Sequence, residues 1–218
     1  WTGTIVVTGD VKVAGGQVLT VGKGTQVLFT NIDQNNDKVG DFDLTISGKM
    51  IVNGTKEDPV VFTVYGKDKS KNGWNRLKLQ GQGSTINWAI IEYAQVGVEV
   101  LDASTLTDTV VRFNGEGIVA RNSGKPKLVN MTVKDNDKDG VWINESAVVS
   151  VTGGEYSSNG KSGIASYSQS SGAALYVTGA TLESNKQNGL FVRGRLAGLV
   201  TKSNIQNNAY EGVRASAY

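Results

Sequence analysis

The 218-residue sequence contains neither cysteine nor histidine, and only two prolines. Without Cys there is no disulfide, no thiolate nucleophile and no Cys-based zinc site. Without His there is no Ser-His-Asp triad and no His-containing metal cage, so acid-base chemistry would fall to carboxylates, Lys, Arg or Tyr. No apolar run approaches the roughly 18 residues of a membrane-spanning helix, and membrane insertion is not expected. Charge is almost balanced, with 22 Lys+Arg against 20 Asp+Glu; nucleic-acid binding usually needs a concentrated basic excess, so nucleic acid is not an expected partner. The opening at Trp1, without Met or a basic leader, reads as a processed or excised segment.

Glycine, by contrast, is abundant at 28 residues, and much of it is periodic. A Gly followed by an aliphatic residue recurs at Gly97-Val98, Gly117-Ile118, Gly140-Val141, Gly163-Ile164, Gly189-Leu190 and Gly212-Val213, with spacings of 20, 23, 23, 26 and 23. A fixed period in this range is the mark of a solenoid or propeller. In the last four copies an Asn precedes the Gly by four residues: Asn136, Asn159, Asn185 and Asn208. Asn tolerates left-handed backbone, and stacked Asn side chains can hydrogen-bond along a ladder.

After each Gly the alternate positions are small or apolar, as in Val98 and Val100, Ile118 and Ala120, or Val141 and Ile143. This is the inward face of a strand. Further short apolar strands lie upstream in each period, and windows with helical spacing are nearly absent. The expected fold is therefore all-β, a single-stranded parallel β-helix of about nine coils, forming a single domain over residues 1–218. The less regular coils 1–83 open it, and the NxxxG-aliphatic coils 84–218 continue it. At about 4.8 Å per coil the rod is on the order of 45 Å long. Asn31 to Asp43, and a stretch from Gly66, read as loops leaving the stack.

The segments GDVKV, LTVGKGTQVLF, MIVNGT, PVVFT and NGWNRL resemble the opening module of secreted right-handed parallel β-helix proteins of the pectate-lyase-like superfold, and the NxxxG(V/I/L) unit resembles their repeat. That resemblance implies a right-handed coil and a secreted or cell-surface location. It does not choose an activity, because the superfold includes polysaccharide lyases, glycoside hydrolases, epimerases, adhesins and surface proteins. Mannuronan-type epimerases and polygalacturonase-type hydrolases within it use motifs containing His, which this chain lacks. Where the family often has Trp-x-Gly-Ile, the chain reads Trp74-Asn75-Arg76-Leu77.

Residues between the inward ones point outward and, in stacked coils, form columns. The first column is Glu99, Val119, Trp142, Ala165, Phe191 and Arg214; the second is Leu101, Arg121, Asn144, Tyr167, Arg193 and Ser216. Arg121, Trp142, Tyr167, Phe191, Arg193 and Arg214 thus form the candidate contact site. Aromatic rings suit the C–H faces of sugars and the Arg fork suits carboxylate, so an acidic polysaccharide is one expected partner and a neighbouring protein subunit is the other. Glu99, the only acid in the two columns, has no carboxylate partner there, and no catalyst is assigned. The expected role is surface structure or adhesion. One alternative is a structural subunit stacking head-to-tail as a homo-oligomeric fibre.

A second alternative is a calcium-dependent lyase, for which the best trio is Asp135 or Asp137 with Arg121 and Lys127. Calcium is the only cofactor the sequence suggests. Its candidates are Asp33, Asn35, Asp37, Asp41 and Asp43 in the first loop, and Asp135, Asp137 and Asp139 in DNDKDG. Neither set matches the full EF-hand pattern, and solvated turns account for both.

Overall fold

A computed structural model describes residues 1–67, 69–81, 83–169 and 172–216. All regular structure in these residues is β-strand, arranged in three parallel sheets of nine, nine and eight strands. The chain visits the sheets in turn. Ala89–Glu92 lies in the first, Ala94–Val100 in the second and Thr105–Thr107 in the third, and Val110–Arg112 then returns to the first, directly beside Ala89–Glu92. The result is a β-solenoid of about nine turns, whose sheets run from Thr4–Val7 to Val213–Ser216. Among the described residues no helix is long and apolar enough to cross a membrane.

From Val98 onward, parallel pairing without a register shift keeps each position of the second sheet in one column. Val98 pairs with Ile118, Ile118 with Val141, Val141 with Ile164, and Ile164 with Leu190, all buried. The core is therefore a stack of aliphatic rows, widened in the N-terminal coils by Phe29 and Trp74, whose rings stack 4.0 Å apart. The Trp74 indole N–H is satisfied by the Glu92 carbonyl at 2.9 Å.

The repeating glycines are required by close approach. None of Gly97, Gly117, Gly140, Gly163 and Gly189 has positive φ. A Cβ on each would instead lie 2.2–3.0 Å from the carbonyl oxygen of the corresponding Gly in the next coil. Left-handed backbone falls one residue before each ladder Asn, at Phe113, Asp135, Ser158, Ser184 and Asn207. The asparagines themselves do the bonding. Asn136 Nδ2 donates to Asn159 Oδ1 at 3.0 Å and to the Val111 carbonyl at 3.2 Å, while Asn136 Oδ1 accepts from the backbone and side chain of Asn114, both at 3.1 Å. Asn159 and Asn185 repeat the arrangement, and Asn208 ends it. Asn114 belongs to the same ladder although it stands three, not four, residues before its Gly.

Removing the Asn159 side chain strands several buried partners at once, each costing roughly 1–3 kcal/mol. Asn159→Ala is expected to lower the urea midpoint markedly, with a loss on the order of 3 kcal/mol. Lys127→Ala on the exposed third sheet should stay within about 0.5 kcal/mol of the parent. Equal midpoints for the two variants would remove the ladder's structural role.

Candidate functional site

The outer face of the second sheet carries the densest chemistry. Its first column is in register: Val119 pairs with Trp142, Trp142 with Ala165, Ala165 with Phe191, and Phe191 with Arg214. Val119 and Ala165 lie in this outward column yet are fully buried, Val119 paired with Trp142 and Ala165 between Trp142 and Phe191. Trp142 and Tyr167 meet edge-on with centroids 6.3 Å apart, and Tyr167 and Phe191 are tilted at 5.2 Å. The structure thus brings Trp142, Tyr167 and Phe191 into one half-buried ridge.

The expected arginines are distributed differently. Arg121 pairs with Glu99 at 2.7 Å, and Glu99, nearly fully buried, also binds Arg76 at 3.3 Å and faces Lys78 at 3.9 Å. Glu99 is therefore a hub that holds cations in place. Arg193 is exposed beside Tyr167, and Arg214 pairs loosely with Glu211 at 3.7 Å on the last described coil.

Beside the ridge lies a cavity of about 320 Å³ lined by, among others, Arg76, Glu116, Arg121, Lys138 and Trp142. Arg76 occupies the place where the resembling opening module often has Gly, and a β-bulge between Val96 and Val98 lies opposite it. A loop that leaves the third coil before Trp74 helps to close this region: Lys71 reaches Asp137 at 2.5 Å and the Asp135 carbonyl at 3.2 Å. Asp137 lines both this cavity and a more open one of about 510 Å³ across the turn, beside Phe113 and Lys186.

Two buried carboxyls beside the cavity are not singled out as a pair by the sequence. Glu116 and Asp139 each precede the repeating Gly and stack on adjacent coils, where Asp139 N donates to Glu116 Oε2 at 3.2 Å. Asp139 Oδ1 accepts from Ser162 N at 2.9 Å, and its carboxylate acts on the Tyr167 hydroxyl. Burial raises the pKa of both carboxyls, and the charge of Asp139 raises Glu116 further. Burial likewise raises Asp43, against the pull of Arg76. Tyr167 is pushed up to about 12, by burial first and then by Asp139 and Glu116.

The calcium and lyase constellations are taken apart. In the first loop Asp33 accepts the Asp37 and Lys38 backbone N–H groups, Asp37 that of Val39, and Asp41 that of Gln34. Among the described residues no group of three or more carboxylates is placed to hold a metal ion. Asp137 and Arg121 do share a cavity, but Lys127 lies in the strand Lys127–Val129 of the third sheet.

A β-solenoid with a charged lateral groove and an aromatic ridge is the class of protein that this fold and site define. Residues 51–209 match the family described as the right handed beta helix region, and the chain belongs to that family. No curated protein matches the sequence. Among solved structures it is similar to the A-module of the Azotobacter vinelandii mannuronan C-5 epimerase AlgE6. That match has 14% identity and a TM-score of 0.57, and covers 98% of this chain and 71% of that one. The AlgE4 A-module of the same organism aligns at 15% identity with a TM-score of 0.46, over 95% and 70% of the two chains. At these identities the likeness is one of fold.

The carboxyl shifts carry a sign. Glu116 holds its proton to higher pH in the folded state than in the unfolded chain, so the unfolded state ionises first and stability falls as pH rises through the ordinary carboxylate range. Glu116→Gln removes that loss. The variant should be more stable than the parent near neutral pH and indistinguishable from it below the ordinary Glu pKa of 4.5, as read by urea unfolding at both. Destabilisation at neutral pH would contradict the assignment.

Proposed function

We propose that the chain works at the cell surface or outside the cell as a non-catalytic solenoid for adhesion or surface structure, and that its second-sheet groove holds an acidic polysaccharide. One observation carries the reading: Arg76, Arg121 and Lys138 line the same cavity as Trp142, and Tyr167 and Phe191 prolong the aromatic surface along the stack. A sugar ring offers apolar C–H faces and a carboxylate at its rim, and the groove answers both with flat rings and planar guanidinium groups. The hub at Glu99 fixes Arg76 and Arg121 before any ligand arrives, so little side-chain entropy remains to be lost on binding.

A rod of stacked coils presents this surface along its length, which suits a polymer better than a small molecule. The structural neighbour named for mannuronan adds support for a polysaccharide ligand. The absence of His separates this chain from the superfold's His-dependent chemistry, and binding without turnover is the simpler account of the groove.

Affinity electrophoresis through gels containing polymannuronate, polygalacturonate or a neutral glucan tests the reading. The parent should be retarded by at least one uronate gel and pass freely through the glucan. Trp142→Ala is expected to weaken retention by about tenfold, equivalent to ~1.4 kcal/mol, and Arg193→Ala by a smaller, salt-dependent amount. Tyr176→Ala, on the third sheet, should change nothing. Equal mobility in all gels would refute the proposal.

A further inference from the structure

A face built only to hold a polyanion should not have acids at its floor, yet Glu116 lines the cavity and Asp139 lies beside it on the next coil. The two are not equivalent. The Ser162 N–H donates to Asp139 at 2.9 Å, and this bond favours its ionised form. Glu116 receives one backbone N–H, at 3.2 Å, and an ion pair of 3.3 Å from Lys138, which is more than half exposed and so well screened.

The other charged groups around the pair are Arg76, Arg121 and Asp137 at the cavity, and Lys161 and Arg193 on the following coils. Arg76 and Arg121 are committed to Glu99, and Asp137 to Lys71. Two neighbouring buried carboxyls do not both ionise readily, and a single proton favours the member held by the longer contacts, Glu116 at 3.2 and 3.3 Å against 2.9 Å for Asp139.

We infer that Glu116, backed by an ionised Asp139, is the recognition residue for the saccharide carboxylate, donating a hydrogen bond from its own protonated carboxyl to a uronic acid seated in the cavity. This rests on the polysaccharide reading of the groove. An acid–carboxylate O–H···O⁻ bond is short and about twice as strong as a neutral one. A neutral sugar offers no such acceptor, and a sulfate ester is too weak a base to accept it well, so Glu116 selects uronates. The incoming carboxylate adds negative charge facing Glu116 and tightens the hold on its proton. Binding therefore takes up a proton wherever Glu116 has ionised in the free protein.

Isothermal titration of a uronate oligosaccharide into the intact chain, in two buffers of different ionisation enthalpy from about pH 5 to about pH 9, reads this directly. The expected result is proton uptake approaching one per site on the alkaline side, where affinity falls about tenfold per pH unit. Glu116→Gln should keep binding, because its amide N–H donates to the same carboxylate, but should lose both the uptake and the pH dependence. Asp139→Asn should move the onset of the loss to lower pH. Uronate binding with no proton uptake, or an unchanged pH profile in Glu116→Gln, would overturn the role of Glu116 and leave the groove reading standing. No binding at any pH by folded protein would overturn both.

Discussion

Everything in this molecule follows from the in-register stacking of one coil on the next. Parallel pairing fixes every side chain at the same angular position as its counterparts above and below, about 4.8 Å away. That spacing explains the glycine row, where a Cβ would collide with the carbonyl of the neighbouring coil. It also explains the asparagine ladder, whose buried amides have both their donors and their acceptors used. Small changes in coil length, such as the 26-residue interval before Gly189, are absorbed in the turns without disturbing the sheets.

The same constraint concentrates chemistry on the outside. Residues distant in sequence become neighbours, so Asp43, Arg76, Glu99 and Arg121 form one network although 78 positions separate the first from the last. Small outward residues set beside large rings leave a buried floor next to the ridge, as Val119 and Ala165 show. Carboxyls placed on that floor are desolvated and tend to retain protons, which changes them from repellent charges into hydrogen-bond donors. A groove proposed for a polyanion can thus contain acids without repelling its ligand.

Much of the architecture was legible because a period of about 23 residues and an alternation of two are visible in linear sequence. The Trp142, Tyr167 and Phe191 ridge followed from the same alternation. Pairing partners did not, since Glu99 was judged by the absence of another acid in its columns, while its cationic partner Arg76 sits in a column left uncounted. The outward columns counted in the sequence begin after each repeating Gly, so the residue before it, and with it the pairing of Glu116 and Asp139, falls outside them. Aligning that position through the repeat gives Val96 and then Glu116, Asp139, Ser162, Asn188 and Glu211, a column polar from its second member onward that the period itself exposes. The DNDKDG triplet misled for a related reason. Its acids alternate as calcium ligands would, but the turn sends Asp137 to Lys71 and Asp139 under Tyr167.

If stacking assembles the proposed ligand groove from residues on successive coils, heteronuclear NMR during titration with a uronate oligosaccharide should show it as one site. The account predicts that the largest shifts fall on the Trp142 indole N–H and on the backbone amides of Glu116, Arg121, Asp139 and Tyr167, rising together along a single binding curve. Shifts confined to the third sheet, or scattered without a common saturation point, would contradict it.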